Sequence, residues 1–265
     1  MHFCVIFELR PPLETRHIIL ILGIVIVLAV AGLARRLGWP PVIRLASKWH
    51  QMKPTVVVYL RRSPGTFVYL AILTITTWVL VGSSDKVTNL LLQEHSTSLK
   101  QLRIDPVKVL FRSAFWTPGY EFLAWAVLFA LILAPAEYWL GTLRWASVFA
   151  LGHILATLGS VTTLWFAIRY GWAAKSLQGA IDVGVSYGFA AVAAVFTFRL
   201  PPRWRWQWAA GIVLIGLGGL LLDQNFTDVG HLIAIGIGFA CYPLTRGTVV
   251  RSREATPIWA VGSLF

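Results

Sequence analysis

Long, nearly uninterrupted apolar runs recur along this chain, and they leave few ways for it to fold. A helix needs about 20 apolar residues to cross a bilayer, and backbone groups inside lipid must find partners within the chain. Charged residues make up 13% of the 265 and hydrophobic residues 57%, whereas a soluble domain carries roughly twice that charge. The runs are too long and unbroken for barrel strands. The sequence therefore reads as an all-α, polytopic transmembrane helical bundle.

Seven apolar segments are expected, near 17–34, 66–82, 119–137, 142–168, 179–198, 206–222 and 229–245. The first is not a secretory signal, because its basic flank "ARRLGW" follows it rather than preceding it. It is expected to be an addition to a six-helix core. That gives three parts: 1–65, an N-terminal hydrophobic segment with a basic cytoplasmic linker; 66–245, the membrane core; and 246–265, a cytoplasmic tail.

The net charge of +12 does not point to nucleic acid, because the cations do not form one basic face. Seven Lys or Arg and no acid lie between Arg35 and Arg62. "RLPPRWRW" and "TRGTVVRSRE" add three each, the latter against one Glu. These blocks occupy alternate loops, the positive-inside pattern, and place those loops in the cytoplasm. The loops "RYGWAAKSLQ" and "DQNFTD" then face outward, in what is expected to be a cell membrane. The 36 residues from Ser83 to Pro118 are long for a loop. Their aromatic residues mixed with charges suit a segment lying in the interface.

Cys4 and Cys241 lie at opposite ends of the chain, so no disulfide is expected. No metal-ligand spacing or nucleotide-binding glycine pattern occurs, and neither metal nor cofactor is implied. Two apolar segments do carry polar residues that suit chemistry. "DVGVSYG" presents Ser186, and "DVGHLIAIG" presents His231. Both segments start on the outer side, so a serine nucleophile and an imidazole base can meet below that surface. Gly184, Gly188, Ala191 and Ala194 on one segment, and Ala234 and Gly238 on the other, form small-residue faces suited to close helix packing. Asp182 reads as a helix cap, and Asp228, three residues before His231, either pairs with that histidine or caps its helix. His153 reads as a neutral imidazole bonded to a neighbouring helix.

The Gly184-x-Ser186 pair, and His231 followed by Ala234 and Gly238, resemble the motifs of rhomboid intramembrane serine proteases. "FRSAFW" resembles the first-loop Trp-Arg region, with Phe111 in place of the Trp and Arg112 retained. "LAPAEYWLGTLRW" resembles the family's E-x-x-x-G through Glu137 and Gly141. The similarity runs over about 66–245 and implies a rhomboid-like six-helix core plus one extra N-terminal helix. It also implies an intramembrane serine endopeptidase in which Ser186 attacks a peptide bond of a transmembrane substrate and His231 relays the proton. Glu137 would tie neighbouring backbone groups together.

The chain departs from that pattern at several places. Tyr187 stands where the family has Gly directly after the serine, with Gly188 one place later. Glu121 and Trp125 fall where His and Asn usually support the oxyanion, and Ala190 replaces an aromatic residue. These departures support the alternative of a catalytically inactive relative that binds transmembrane segments of client proteins. A small transporter is a weaker reading, since no repeats or broken polar helices are evident.

Overall fold

The computed structural model describes residues 13–222 and 225–247. Cys4, Asp223, Gln224 and the tail beyond 247 lie outside the described residues. Among the described residues the fold is helical, with no strand. Four stretches are long and apolar enough to cross a bilayer: Pro64–Gly82, Phe122–Leu140, Thr142–Arg169 and Pro202–Leu222. We call them α3, α7–α8, α9 and α11. Helices α10 (Ser186–Phe196) and α12 (Phe226–Ala240) are shorter. Together these six form the core expected from the sequence.

The N-terminal segment is helix α1 (Leu13–Arg36), and the basic stretch after it is also helical, as α2 (Pro40–Arg62). The axes of Val25–Arg36 and Pro40–Arg62 meet at 103°. Helix α2 is anchored near its end, where the Tyr59 hydroxyl donates to the Ala130 carbonyl. The sequence explains why that carbonyl is free. A π turn, Phe129–Leu133, joins α7 (Phe122–Leu128) to α8 (Ala134–Leu140). The i→i+5 pattern would pair Ala130 with residue 135, which is a proline and has no N–H.

Glu137 ties together the ends of three helices. Helix α3 begins Pro-Gly-Thr after Ser63, and the Ser63 side chain does not cap it; that hydroxyl donates to the Ala134 carbonyl instead, at 2.7 Å. The open N–H groups of Gly65 and Thr66 donate to the two Glu137 carboxylate oxygens at 2.8 and 2.7 Å. The Thr66 and Thr142 hydroxyls donate to the same carboxylate, each at 2.7 Å. A buried carboxylate thus caps α3 from another helix and fastens the first residue of α9, as expected of a charge in the interior. Gly141, at φ +83°, makes the sharp corner between α8 and α9, a conformation glycine adopts without strain.

Helices α9, α10 and α12 form the most closely packed part of the bundle. Ala191 of α10 sits between two glycines. A Cβ on Gly152 of α9 would lie 2.2 Å from the Ala191 Cβ, and one on Gly238 of α12 would lie 2.2 Å from the Ala191 carbonyl oxygen. The small-residue faces therefore do bring α10 against α12. Gly188 is different, since a Cβ there would strike the Phe149 ring on α9 at 2.6 Å. Helix α11 is peripheral: Gly216 is its one fully buried residue. Trp208 ties it to α10 by donating to the Ala193 carbonyl at 2.9 Å.

The 83–118 region folds into three short helices, α4 (Asp85–Glu94), α5 (Leu99–Ile104) and α6 (Pro106–Ser113). Each has a local cap, Ser84, Ser98 and Asp105, accepting from an N–H three residues on. Phe115 packs on Tyr69 of the core, while Phe111 and Arg112 are exposed.

Candidate functional site

The chain enters α10 without helical structure. After a 3-10 turn, Lys175–Gly179, residues 180–185 run free of regular structure, where the sequence alone pointed to helix from 179. Helix-like hydropathy is not enough there, because the backbone is held by partners distant in sequence. Thr97 N–H donates to the Asp182 carbonyl at 2.8 Å, and Asp182 N–H donates to Ser96 Oγ at 2.8 Å. Gly184, at φ +124°, donates its N–H to the Ser113 carbonyl at 3.1 Å. Helix α10 therefore opens at Ser186 itself, while His231 lies five residues after the first residue of α12.

Successive residues of a helix point about 100° apart, so Ser186 and Tyr187 face different neighbours. Tyr187 meets α12. Its ring stands edge-on to the His231 imidazole, with centroids 5.2 Å apart and planes at 70°. It also fills the space above Gly230, where a Cβ would come within 2.4 Å of Cζ. The Tyr187 hydroxyl donates to Asp182 Oδ2 at 3.0 Å and lies 3.5 Å from Ser160 Oγ. The Thr97 hydroxyl lies 3.0 Å from the same carboxylate oxygen and 2.8 Å from the Asp182 carbonyl, so its one proton serves both. Ser160 donates to the Phe226 carbonyl at 2.8 Å, reaching the first residue of α12.

A buried polar network thus joins the α4–α5 turn, the entry to α10, α9 and α12. Asp182 is a junction in this network rather than the expected cap of α10, whose capping position is Val185. Asp228 does cap, through a reciprocal pair with Asn225, and its Oδ1 lies 3.8 Å from His231 Nδ1. Ser186 is half-buried, and its hydroxyl has no hydrogen bond to His231 among the described residues. Ala234 is buried in a cluster with Tyr187 and Ala156.

The positions considered for oxyanion support engage each other. Trp125 Nε1 donates to Glu121 Oε2 at 3.0 Å, and the indole stands against Phe189 of α10 at 5.5 Å. His153 holds α6, with Nε2 3.0 Å from the Leu110 carbonyl and 3.1 Å from Ser113 Oγ. The carbonyl is acceptor-only, so Nε2 carries a proton. No group of three or more His, Cys, Asp or Glu among the described residues is placed to hold a metal.

The sequence reading missed Ser160 and Thr97. A buried Ser or Thr in an apolar helix or loop carries no local signal, and Thr97 meets Asp182 across 85 positions of chain.

A six-helix membrane core with the Glu137–Gly141 corner and α10 packed on α12 is the arrangement the motifs implied. A family model described as "Rhomboid-like protein" matches residues 58–251. The chain belongs to the rhomboid-like family. No curated relative and no solved structure matches it. Like its apolar helices, membership makes this rhomboid-like protein an integral, multi-pass membrane protein.

Proposed function

We propose that this rhomboid-like protein binds transmembrane segments of other membrane proteins without cutting them. The carrying observation is the placement of Tyr187 against His231 and Gly230. A serine nucleophile needs its base within about 3 Å. Here a phenol lies against the imidazole, and its hydroxyl is engaged by Asp182. The indole of Trp125, directed to Glu121, supplies no free donor for an oxyanion. Helix α11, exposed along most of its length, offers an apolar wall for a client helix.

The competing reading is the Ser186–His231 endopeptidase. It is favoured by the position of Ser186 at the head of a helix that packs on α12.

The two readings separate in one experiment. Membranes carrying the wild type, Ser186→Ala and His231→Ala are treated with a fluorophosphonate probe beside an active rhomboid protease. In parallel, a photocrosslinker at Ile215 of α11 is tested against a co-reconstituted single-pass segment. The expected result is no Ser186-dependent labelling and a crosslinked, intact segment. Labelling that disappears in both variants would overturn the proposal in favour of the protease, and no crosslink would remove the client-binding half.

A further inference from the structure

On the side from which α10 and α12 start, a cavity of about 220 Å³ opens between α5, the end of α9 and the 3-10 turn. Its walls carry Arg103, Arg169, Lys175 and Gln178, with Trp165 and Leu99, and no carboxylate. Below it lies a small separate core of Leu99, Val161 and Leu164, supported by Ile168 and Phe226. The cavity is smaller than the roughly 300–1,000 Å³ typical of whole-ligand pockets, a size suited to a headgroup rather than a whole molecule.

Helix dipoles do not account for this convergence. Arg103 and Arg169 do end helices, where a cation is favoured. Lys175 opens its turn, at the end where a cation is disfavoured. None of the three has a salt bridge among the described residues. The loop charges place this end of the bundle outside, where clustered Lys and Arg run against the usual bias.

The depth of the cavity is marked by aromatic residues on the same elements. Trp165 packs on Phe166 at 4.8 Å, Phe166 on Tyr170 at 6.3 Å, and Tyr170 on Trp172 at 5.7 Å. All four are exposed. Such a belt sits at the headgroup level of a bilayer.

We infer that Arg103, Arg169 and Lys175 form a binding site for a phosphate group, filled in the membrane by the headgroup of an anionic phospholipid. Two guanidinium forks and an ammonium suit phosphate oxygens. Gln178 adds an amide, and Leu99 and Trp165 suit the first carbons of the lipid.

The test uses the full chain in a neutral detergent and reads thermal unfolding. Short-chain phosphatidylglycerol, short-chain phosphatidylcholine and inorganic phosphate at matched ionic strength are compared. Phosphatidylglycerol is expected to raise the midpoint by at least about 4 °C at saturation, and phosphatidylcholine to leave it unchanged. The triple variant Arg103→Gln/Arg169→Gln/Lys175→Gln loses the rise, while the charge-matched Arg35→Gln/Arg36→Gln/Arg44→Gln keeps it. The single Lys175→Gln, at an exposed position, weakens the apparent affinity about fivefold and serves if the triple variant does not fold. Inorganic phosphate matching the lipid in the wild type alone would assign the site to the free anion. Equal rises in wild type and Lys175→Gln, or no rise with any phosphate, would overturn the inference.

Discussion

Tyr187 sets the edge of its ring against the imidazole of His231, with centroids 5.2 Å apart, and sends its hydroxyl 3.0 Å to Asp182. One side chain therefore connects the entry of α10, through Asp182 and Thr97, to the helix that bears the histidine. The position after the serine, which a protease of this family gives to glycine, here carries a side chain that packs on both Gly230 and His231 at the start of α12.

Removing the Tyr187 hydroxyl tests this connection. Tyr187→Phe keeps the ring and leaves the buried Asp182 carboxylate with Thr97 as its remaining side-chain donor. The expected loss is about 1–3 kcal/mol. Tyr187→Ala also opens a cavity, and its loss is expected to be larger, about 3–5 kcal/mol. Denaturant titration in micelles measures both. A Tyr187→Phe variant as stable as wild type would mean that the hydroxyl contributes nothing to the packing of α10.

Glu137 is 1% exposed and accepts from Gly65, Thr66 and Thr142. Glu137→Gln keeps the shape but turns an amide NH₂ toward donors that need an acceptor. A loss of about 2–4 kcal/mol is expected, since hydrogen bonds to a charged group are each worth about 1.5–3 kcal/mol. Unfolding midpoints in detergent measure it. A near-neutral variant would show that the Thr hydroxyls rearrange freely.

The close approach of α10 and α12 is tested by a pair of glycines two residues apart. A Cβ on Gly238 would lie 2.2 Å from the Ala191 carbonyl oxygen and 2.7 Å from the Ala194 Cβ, whereas one on Gly236 has nothing within 4 Å. Gly238→Ala is expected to cost about 1–3 kcal/mol by overpacking. Gly236→Ala is expected to be neutral or to stabilise by up to about 1 kcal/mol through helix propensity. Equal effects would contradict the packing.

The 83–118 region has its own pH dependence. Lys108 lies 2.7 Å from the Asp105 carboxylate, and their hydrogen bonds hold that carboxyl below the usual carboxylate range. A lowered folded value means that the contribution is present above the ordinary Asp pKa near 4 and is lost as pH falls through the folded value. Amide protection at the start of α6, taken relative to the intrinsic exchange rate at each pH, is therefore expected to fall at low pH in the wild type. Asp105→Asn retains a capping oxygen and removes that dependence. An unchanged profile in the variant would assign the pH response to another group.

Much of this architecture was legible along the chain. The core helices follow from runs of apolar residues, and the Glu137–Gly141 corner from a short motif. Contact between α10 and α12 follows from Ala191, Ala194, Ala234 and Gly238, whose spacing repeats each helical turn. The first residue of α10 was not legible. "IDVGV" is as apolar as the helix that follows it, and hydropathy does not distinguish a helix from a chain held by Ser96, Thr97 and Ser113.

The sequence by itself determined that the protein lives in a membrane, where its helices lie along the chain and which of them carry Ser186 and His231. Those properties depend on composition, charge bias and local period. Only the tertiary structure decided that Tyr187 sets its ring against the histidine. That orientation depends on a rotation of about 100° per residue, set by where α10 begins. Its start is fixed by backbone bonds from Asp182 and Gly184 to residues dozens of positions earlier, and such pairings leave no periodic trace in the chain.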